Sequence, residues 1–154
     1  MAGHICNDLG MDTMSAGTTI SLALELAQRD IIDKKTDGMT LEWGDSELIL
    51  ELLRKIGYGD GFGDILAEGS MRAAKTLGKN AEKYSMQVKG MEIPGYDPRG
   101  AKGMGLTYAV SSRGACHNFA YTIRDEMWTG EADRFTEEGK ADLVKELSDI
   151  DALA

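Results

Sequence analysis

Two short stretches concentrate groups able to make specific hydrogen bonds beside glycine. The first is Cys6-Asn7-Asp8-Leu9-Gly10-Met11-Asp12, and the second runs from Gly95-Tyr96-Asp97-Pro98 through Gly100, Gly103 and Gly105 to Gly114-Ala115-Cys116-His117. Neither fits a nucleotide or metal motif. An Asp accepts at both oxygens, an Asn both donates and accepts, and a His is the side chain best suited to proton transfer near neutral pH. Each residue also has an ordinary structural reading: Asp12 as the cap of a following helix, Tyr96 as packing in a Gly-Tyr-Asp-Pro turn, His117 as a hydrogen-bonded histidine beside a glycine turn. Cys116 and His117 do not read as a nucleophile and its base, because adjacent side chains rarely point at one another and no third group is evident. The only other cysteine, Cys6, is too far along the chain to complete a zinc or cluster spacing. The nine methionines do not cluster and read as core filler rather than as a metal-binding set.

The elements that must position these groups are helical. Ile20, Ala23, Leu24, Ala27 and Ile31 follow helical spacing, but Leu22 and Leu26 fall on the other side, which predicts a helix buried on more than one face. After the loop Asp33-Lys-Lys-Thr-Asp-Gly-Met-Thr-Leu-Glu-Trp-Gly44, Asp45 is a good N-cap for a stripe of Leu48, Ile49, Leu52, Leu53 and Ile56, stopped by Gly57. A glycine-rich turn then leads into a helix over about Asp64 to Leu77. The run from Tyr84 to Ile93 alternates weakly and supports at most a short strand. Asp97 followed by Pro98 predicts a helix opening that runs to about Arg113. Its interior glycines cost about 1 kcal/mol each against alanine, so close packing against backbone or ligand must compensate. Thr136 caps a last helix carrying Leu143, Val144, Leu147 and Ile150. The sum is an all-α, multihelical domain of about five main helices over residues 1–154, with at most a short two-stranded ribbon.

Composition narrows the function. The chain has 154 residues and a formal charge of −9, from 17 basic against 26 acidic side chains, which argues against nucleic acid as a partner. It holds no apolar run of the roughly 18 to 20 residues a bilayer span needs, and its first residues do not form a signal peptide, so a cytoplasmic protein is expected.

In this setting both stretches resemble the tungsten-containing aldehyde ferredoxin oxidoreductases. Asn7 to Asp12 is similar to that family's pterin-binding motif: an Asp or Asn, two variable residues, Gly, an apolar residue and Asp. Gly95 to His117 resembles the family's approach to its active-site histidine, and the stretches Trp43 to Ile56 and Gly61 to Gly69 are similar to its helices. The resemblance implies cofactor-binding roles for Asn7, Gly10, Met11 and Asp12. It implies catalytic roles for Tyr96, as a hydrogen-bond donor to an aldehyde carbonyl, and for His117, as a proton relay. It further implies an enzyme that oxidises aldehydes to carboxylic acids at a tungsten (or molybdenum) bis-pterin site and passes electrons through a [4Fe-4S] cluster to ferredoxin.

Asn7 stands where the motif is often written with Asp, and Met11 where it has Leu. The family's cluster cysteines, its second pterin motif, its pterin-bearing β-domain and a catalytic glutamate have no counterpart in these residues, so the chain reads as the middle segment of a larger enzyme whose remainder is its main partner. No tungsten, pterin or cluster is expected on the isolated segment, which is expected to be inactive alone, and no residue is assigned as a metal ligand. The alternative is a stand-alone helical binding or interaction module without redox chemistry.

Overall fold

The computed structural model describes residues 1–153 and folds them into seven α-helices, two antiparallel two-stranded ribbons, a 3-10 turn and a π-turn. The helical class holds, with more helices than about five and a second ribbon. Contacts group the chain into two compact units, residues 1–92 and the segment from Ile93 onward. No helix among the described residues is long and apolar enough to cross a membrane.

In the first unit, α1 (Ala2–Asp8) and α2 (Thr13–Gln28) are followed by a ribbon of β1 (Lys35–Thr36) and β2 (Met39–Thr40), then α3 (Ser46–Tyr58), α4 (Phe62–Ala67) and α5 (Ser70–Leu77). A 3-10 turn (Ala81–Tyr84) and a second ribbon, β3 (Gln87–Val88) and β4 (Met91–Glu92), complete it. Helix α2 is the centre. Its Ile20, Ala23, Leu24 and Ala27 join a core with Leu48, Leu52, Leu53, Phe62 and Leu66, while Leu22 and Leu26 pack on the opposite side with Ala74 and Ala81. The two-sided apolar pattern therefore has a partner on each side.

Four local expectations in this first unit need correction. Helix α3 does not stop at Gly57. It continues to Tyr58, because Gly57 is there for packing: a Cβ at that position would collide with the Leu9 side chain. The helix expected over Asp64–Leu77 breaks at Gly69, where the buried Glu92 carboxylate reaches across from β4 to accept the Ser70 N–H at 2.7 Å and restart the helix as α5. The stretch from Asp33 to Gly44 is not all loop. Asp37-Gly38 turns a hairpin, both residues having positive φ, as an Asp-Gly pair favours. The Tyr84–Ile93 run likewise holds two strands rather than one, joined at Lys89-Gly90 with the same backbone signature. Asp37 is also used at a distance: its carboxylate accepts the Phe62 N–H that opens α4.

The second unit contains α6 (Lys102–Val110), a π-turn (Arg124–Trp128) and α7 (Lys140–Asp151). Asp97-Pro98 does not open a helix. Asp97 instead accepts the Arg99 N–H at 2.8 Å, while Gly100 and Ala101 donate to its carbonyl, so the segment is a turn and α6 begins later. Helix α6 ends at Val110, short of Arg113. Thr136 accepts from Glu138 in a turn, and α7 starts only after Gly139.

The start of α6 has no local side-chain cap. The buried Glu126 carboxylate takes that place, accepting the N–H groups of Gly103 at 2.8 Å and Met104 at 3.3 Å and the Thr122 hydroxyl at 2.9 Å. A negative group at a helix N-terminus is favoured by the exposed N–H groups and the helix dipole. Lys140, the first residue of α7, pairs with Glu126 at 2.9 Å in an almost fully buried contact and donates to the Asp133 carbonyl at 2.7 Å. A Cβ on Gly103 would lie 2.8 Å from the Glu126 carboxylate, and one on Gly105 would lie 3.2 Å from Pro98. These approaches compensate for the interior glycines.

Candidate active site

The Asn7–Asp12 turn is a helix end joined directly to a helix start. Gly10, with φ of 68°, follows the last turn of α1 in left-handed conformation, and its N–H donates to the Asn7 carbonyl at 3.3 Å. Met11 N–H donates to the Cys6 carbonyl at 2.8 Å, and its side chain packs on the core. This pair of bonds with an apolar residue after the glycine is a Schellman ending. Asp12 then caps α2, one carboxylate oxygen accepting the Ser15 N–H at 2.7 Å. Gly, the apolar residue and Asp are thus each explained by folding alone. What folding leaves over is exposed: the Asn7 side chain and the second Asp12 oxygen have no hydrogen-bond partner among the described residues, and the space a Gly10 Cβ would enter is open. Those leftover groups fit a flat ligand edge rich in amide and amine hydrogen bonds, which is the edge a pterin presents.

In the second unit, Tyr96 and His117 come together with ring centroids 6.1 Å apart. Helix α6 is short, and bends at Gly95 and Gly114 at either side return the chain. Tyr121 completes a triangle, its ring 5.8 Å from Tyr96 and 6.5 Å from His117, with Trp128 edge-on behind it at 5.5 Å. The Tyr96 and Tyr121 hydroxyls are 2.7 Å apart, a short hydrogen bond. Tyr108, buried on α6, donates its hydroxyl to the Tyr96 carbonyl at 3.2 Å. Burial, together with the Tyr96 hydrogen bond, pushes the Tyr121 phenol up to about 12, and burial raises Tyr108 further. All three rings of the triangle are half-buried.

Asp97, next to Tyr96, is held down to about 2 by its hydrogen bonds from the Arg99 side chain and backbone. Cys116 is buried and its thiol is free, as is that of Cys6. Two separate buried thiols do not supply the four thiolates of an iron-sulfur cluster. Among the described residues no three His, Cys, Asp or Glu side chains gather as a metal site.

Tyr121, Tyr108 and the Glu126–Lys140 pair escaped sequence reasoning. A faint signal existed for Tyr121, which follows His117 at close spacing in His-Asn-Phe-Ala-Tyr.

A family model described as aldehyde ferredoxin oxidoreductase, domains 2 and 3, matches residues 1–154. The chain belongs to this family. It is 44% identical over 128 residues to a tungsten-containing aldehyde ferredoxin oxidoreductase of Pyrococcus furiosus, covering 82% of this chain and 21% of that protein. It is 42% identical, with the same coverage, to the Thermococcus kodakarensis protein of that name. At 34% identity over 134 residues it also matches a WOR-like subunit of an aliphatic sulfonate oxidoreductase from Pyrococcus furiosus. Among solved structures it resembles the active-site complex BamBC of benzoyl coenzyme A reductase, with TM-score 0.55 and 31% identity over 67% of this chain and 16% of that one. The chain thus spans about a fifth of the length of the curated relatives it matches.

Proposed function

We propose that this chain is part of an enzyme, working in the cytoplasm, that oxidises aldehydes to carboxylic acids at a tungsten bis-pterin site and passes the electrons through a [4Fe-4S] cluster to ferredoxin. Family membership supports the reaction class. The observation that carries the site is the Tyr96–His117–Tyr121 triangle, in which a hydrogen-bonding hydroxyl and an imidazole share one half-buried face.

A tungsten bis-pterin, when bound, would supply the two-electron change, and the protein would supply position and hydrogen bonds. Asn7 and the Asp12 oxygen not used by Ser15 would hydrogen-bond the edge of a pterin, and Gly10 would leave room for it. Tyr96 donates its hydroxyl proton to the aldehyde oxygen, which gains negative charge as water adds to the carbonyl carbon. His117 takes a proton from that water. Converting aldehyde and water to carboxylic acid releases two electrons and two protons, and His117 carries protons away from the reacting carbon.

Asp12 offers a test that separates folding from cofactor binding. Asp12→Ser keeps a helix cap but removes the carboxylate. In the full-length protein this substitution is expected to leave thermal stability close to wild type and to lower pterin and tungsten content, measured by metal analysis of purified protein. Unchanged tungsten and pterin at wild-type stability would remove the turn from the cofactor site.

A further inference from the structure

Among the described residues, the Tyr121 hydroxyl is hydrogen-bonded to the Tyr96 hydroxyl. Tyr121 and Tyr96 oxygens lie 2.7 Å apart, and the two hydroxyls share one proton along that line. If Tyr96 were the donor, its single proton would be spent on Tyr121 and unavailable to a substrate. If Tyr121 donates, the Tyr96 proton stays free, and an oxygen that accepts one hydrogen bond becomes a better donor of another. Only the second arrangement, with the Tyr121 proton on the 2.7 Å line, leaves Tyr96 able to donate to an aldehyde oxygen. The backbone of Tyr96 is fixed independently, by the Tyr108 hydroxyl on its carbonyl. Trp128 packs edge-to-face against the Tyr121 ring.

We propose that Tyr121 is a positioning residue: it donates its hydroxyl proton to the Tyr96 oxygen, so that the Tyr96 proton is aimed beside His117 at a carbonyl oxygen of the substrate. The division of labour is specific. Tyr108 fixes where the Tyr96 main chain lies, and Tyr121 fixes which way the Tyr96 hydroxyl points. This inference rests on the reading of Tyr96 as the donor to the aldehyde, and it adds the residue that makes such donation available.

The test uses the full-length holoenzyme with Tyr121→Phe, Tyr96→Phe and the double variant, plus a spectroscopic measurement that needs no turnover. Tyr121→Phe is expected to lower kcat for aldehyde oxidation about tenfold with KM unchanged, because the lost bond acts on charge that develops only in the transition state. The double variant is expected to match Tyr96→Phe alone, since Tyr121 acts through Tyr96. In 13Cζ-tyrosine NMR of the same protein at neutral pH, the Tyr96 resonance should move in Tyr121→Phe and stay in place in Tyr108→Phe. Wild-type kcat in Tyr121→Phe alongside an impaired Tyr96→Phe would overturn this inference and leave the proposed function standing. An unmoved Tyr96 resonance in Tyr121→Phe would also overturn it, and wild-type turnover in Tyr96→Phe would strike both. Losses in Tyr121→Phe and Tyr96→Phe that multiply in the double variant would show Tyr121 acting independently and contradict the proposal.

Discussion

The Asn7–Asp12 turn and the Tyr96–His117–Tyr121 triangle are both expected to serve one reaction, yet they are built in opposite ways. Every bond that shapes the turn runs between residues a few positions apart: Gly10 to Asn7, Met11 to Cys6, Ser15 to Asp12. The triangle is held by partners far along the chain: Tyr96 to Tyr121, Tyr108 to the Tyr96 carbonyl, and Glu126 to the start of α6 with Lys140 behind it. A locally built site keeps its shape at little cost and leaves side chains over for a ligand. A site assembled from distant residues depends on a buried polar network, in which the loss of one member leaves the others unsatisfied.

That contrast can be broken or sharpened by substitution. The largest effect is expected at Glu126→Ala, which strands the buried Lys140 ammonium and the first N–H groups of α6. Losing one partner of a buried pair costs about 3–5 kcal/mol. Chemical denaturation should show that loss, and hydrogen exchange should show Gly103 and Met104 amides losing protection. An effect below about 1 kcal/mol would mean the network does not hold the triangle in the way described.

A smaller loss is expected in the turn. Gly10→Ala forces a Cβ into left-handed backbone and should cost about 1 kcal/mol, with Gly10→Asn recovering part of it because Asn tolerates that conformation. Thermal melts of the two variants check the order. Equal stability of all three proteins would show that the ending of α1 is not fixed by Gly10.

The smallest effect is expected from pH. Tyr121 has its folded pKa raised to about 12, above the ordinary value of about 10, so its stabilising contribution is intact below about 10 and fades as pH rises toward about 12. Tyr121→Phe, which has no proton to lose, should push the midpoint of alkaline unfolding up by a fraction of a pH unit. A midpoint that moves down would contradict the burial of that phenol.

The same contrast explains what the sequence disclosed. Asp45 as the cap of α3 and the two-sided burial of α2 were legible, because caps and helical periodicity act within a few residues. The Asp37-Gly38 hairpin was legible in principle, since Asp-Gly is the strongest short hairpin signal, but its strands are too short to show alternation. Glycines misled where their reason lay elsewhere. Gly57 looks like a helix stop and is instead a seat for Leu9, whereas the close packing expected of the α6 glycines is supplied by Glu126 and Pro98. Glu126 as a helix cap and Tyr121 as the partner of Tyr96 depend on contacts that no local pattern encodes. The motif residues Asn7, Gly10, Met11 and Asp12 were found by resemblance, and the structure adds that three of them also have folding roles.

The most direct measurement is aldehyde oxidation by the full-length enzyme carrying His117→Ala, with tungsten and iron quantified in the same preparation. Turnover is expected to fall by about 10²-fold or more, the scale of a positioned acid–base group, with both metals at wild-type content because the imidazole binds neither. Wild-type turnover in a fully metallated His117→Ala enzyme would contradict the account, returning His117 to a structural part beside Tyr96.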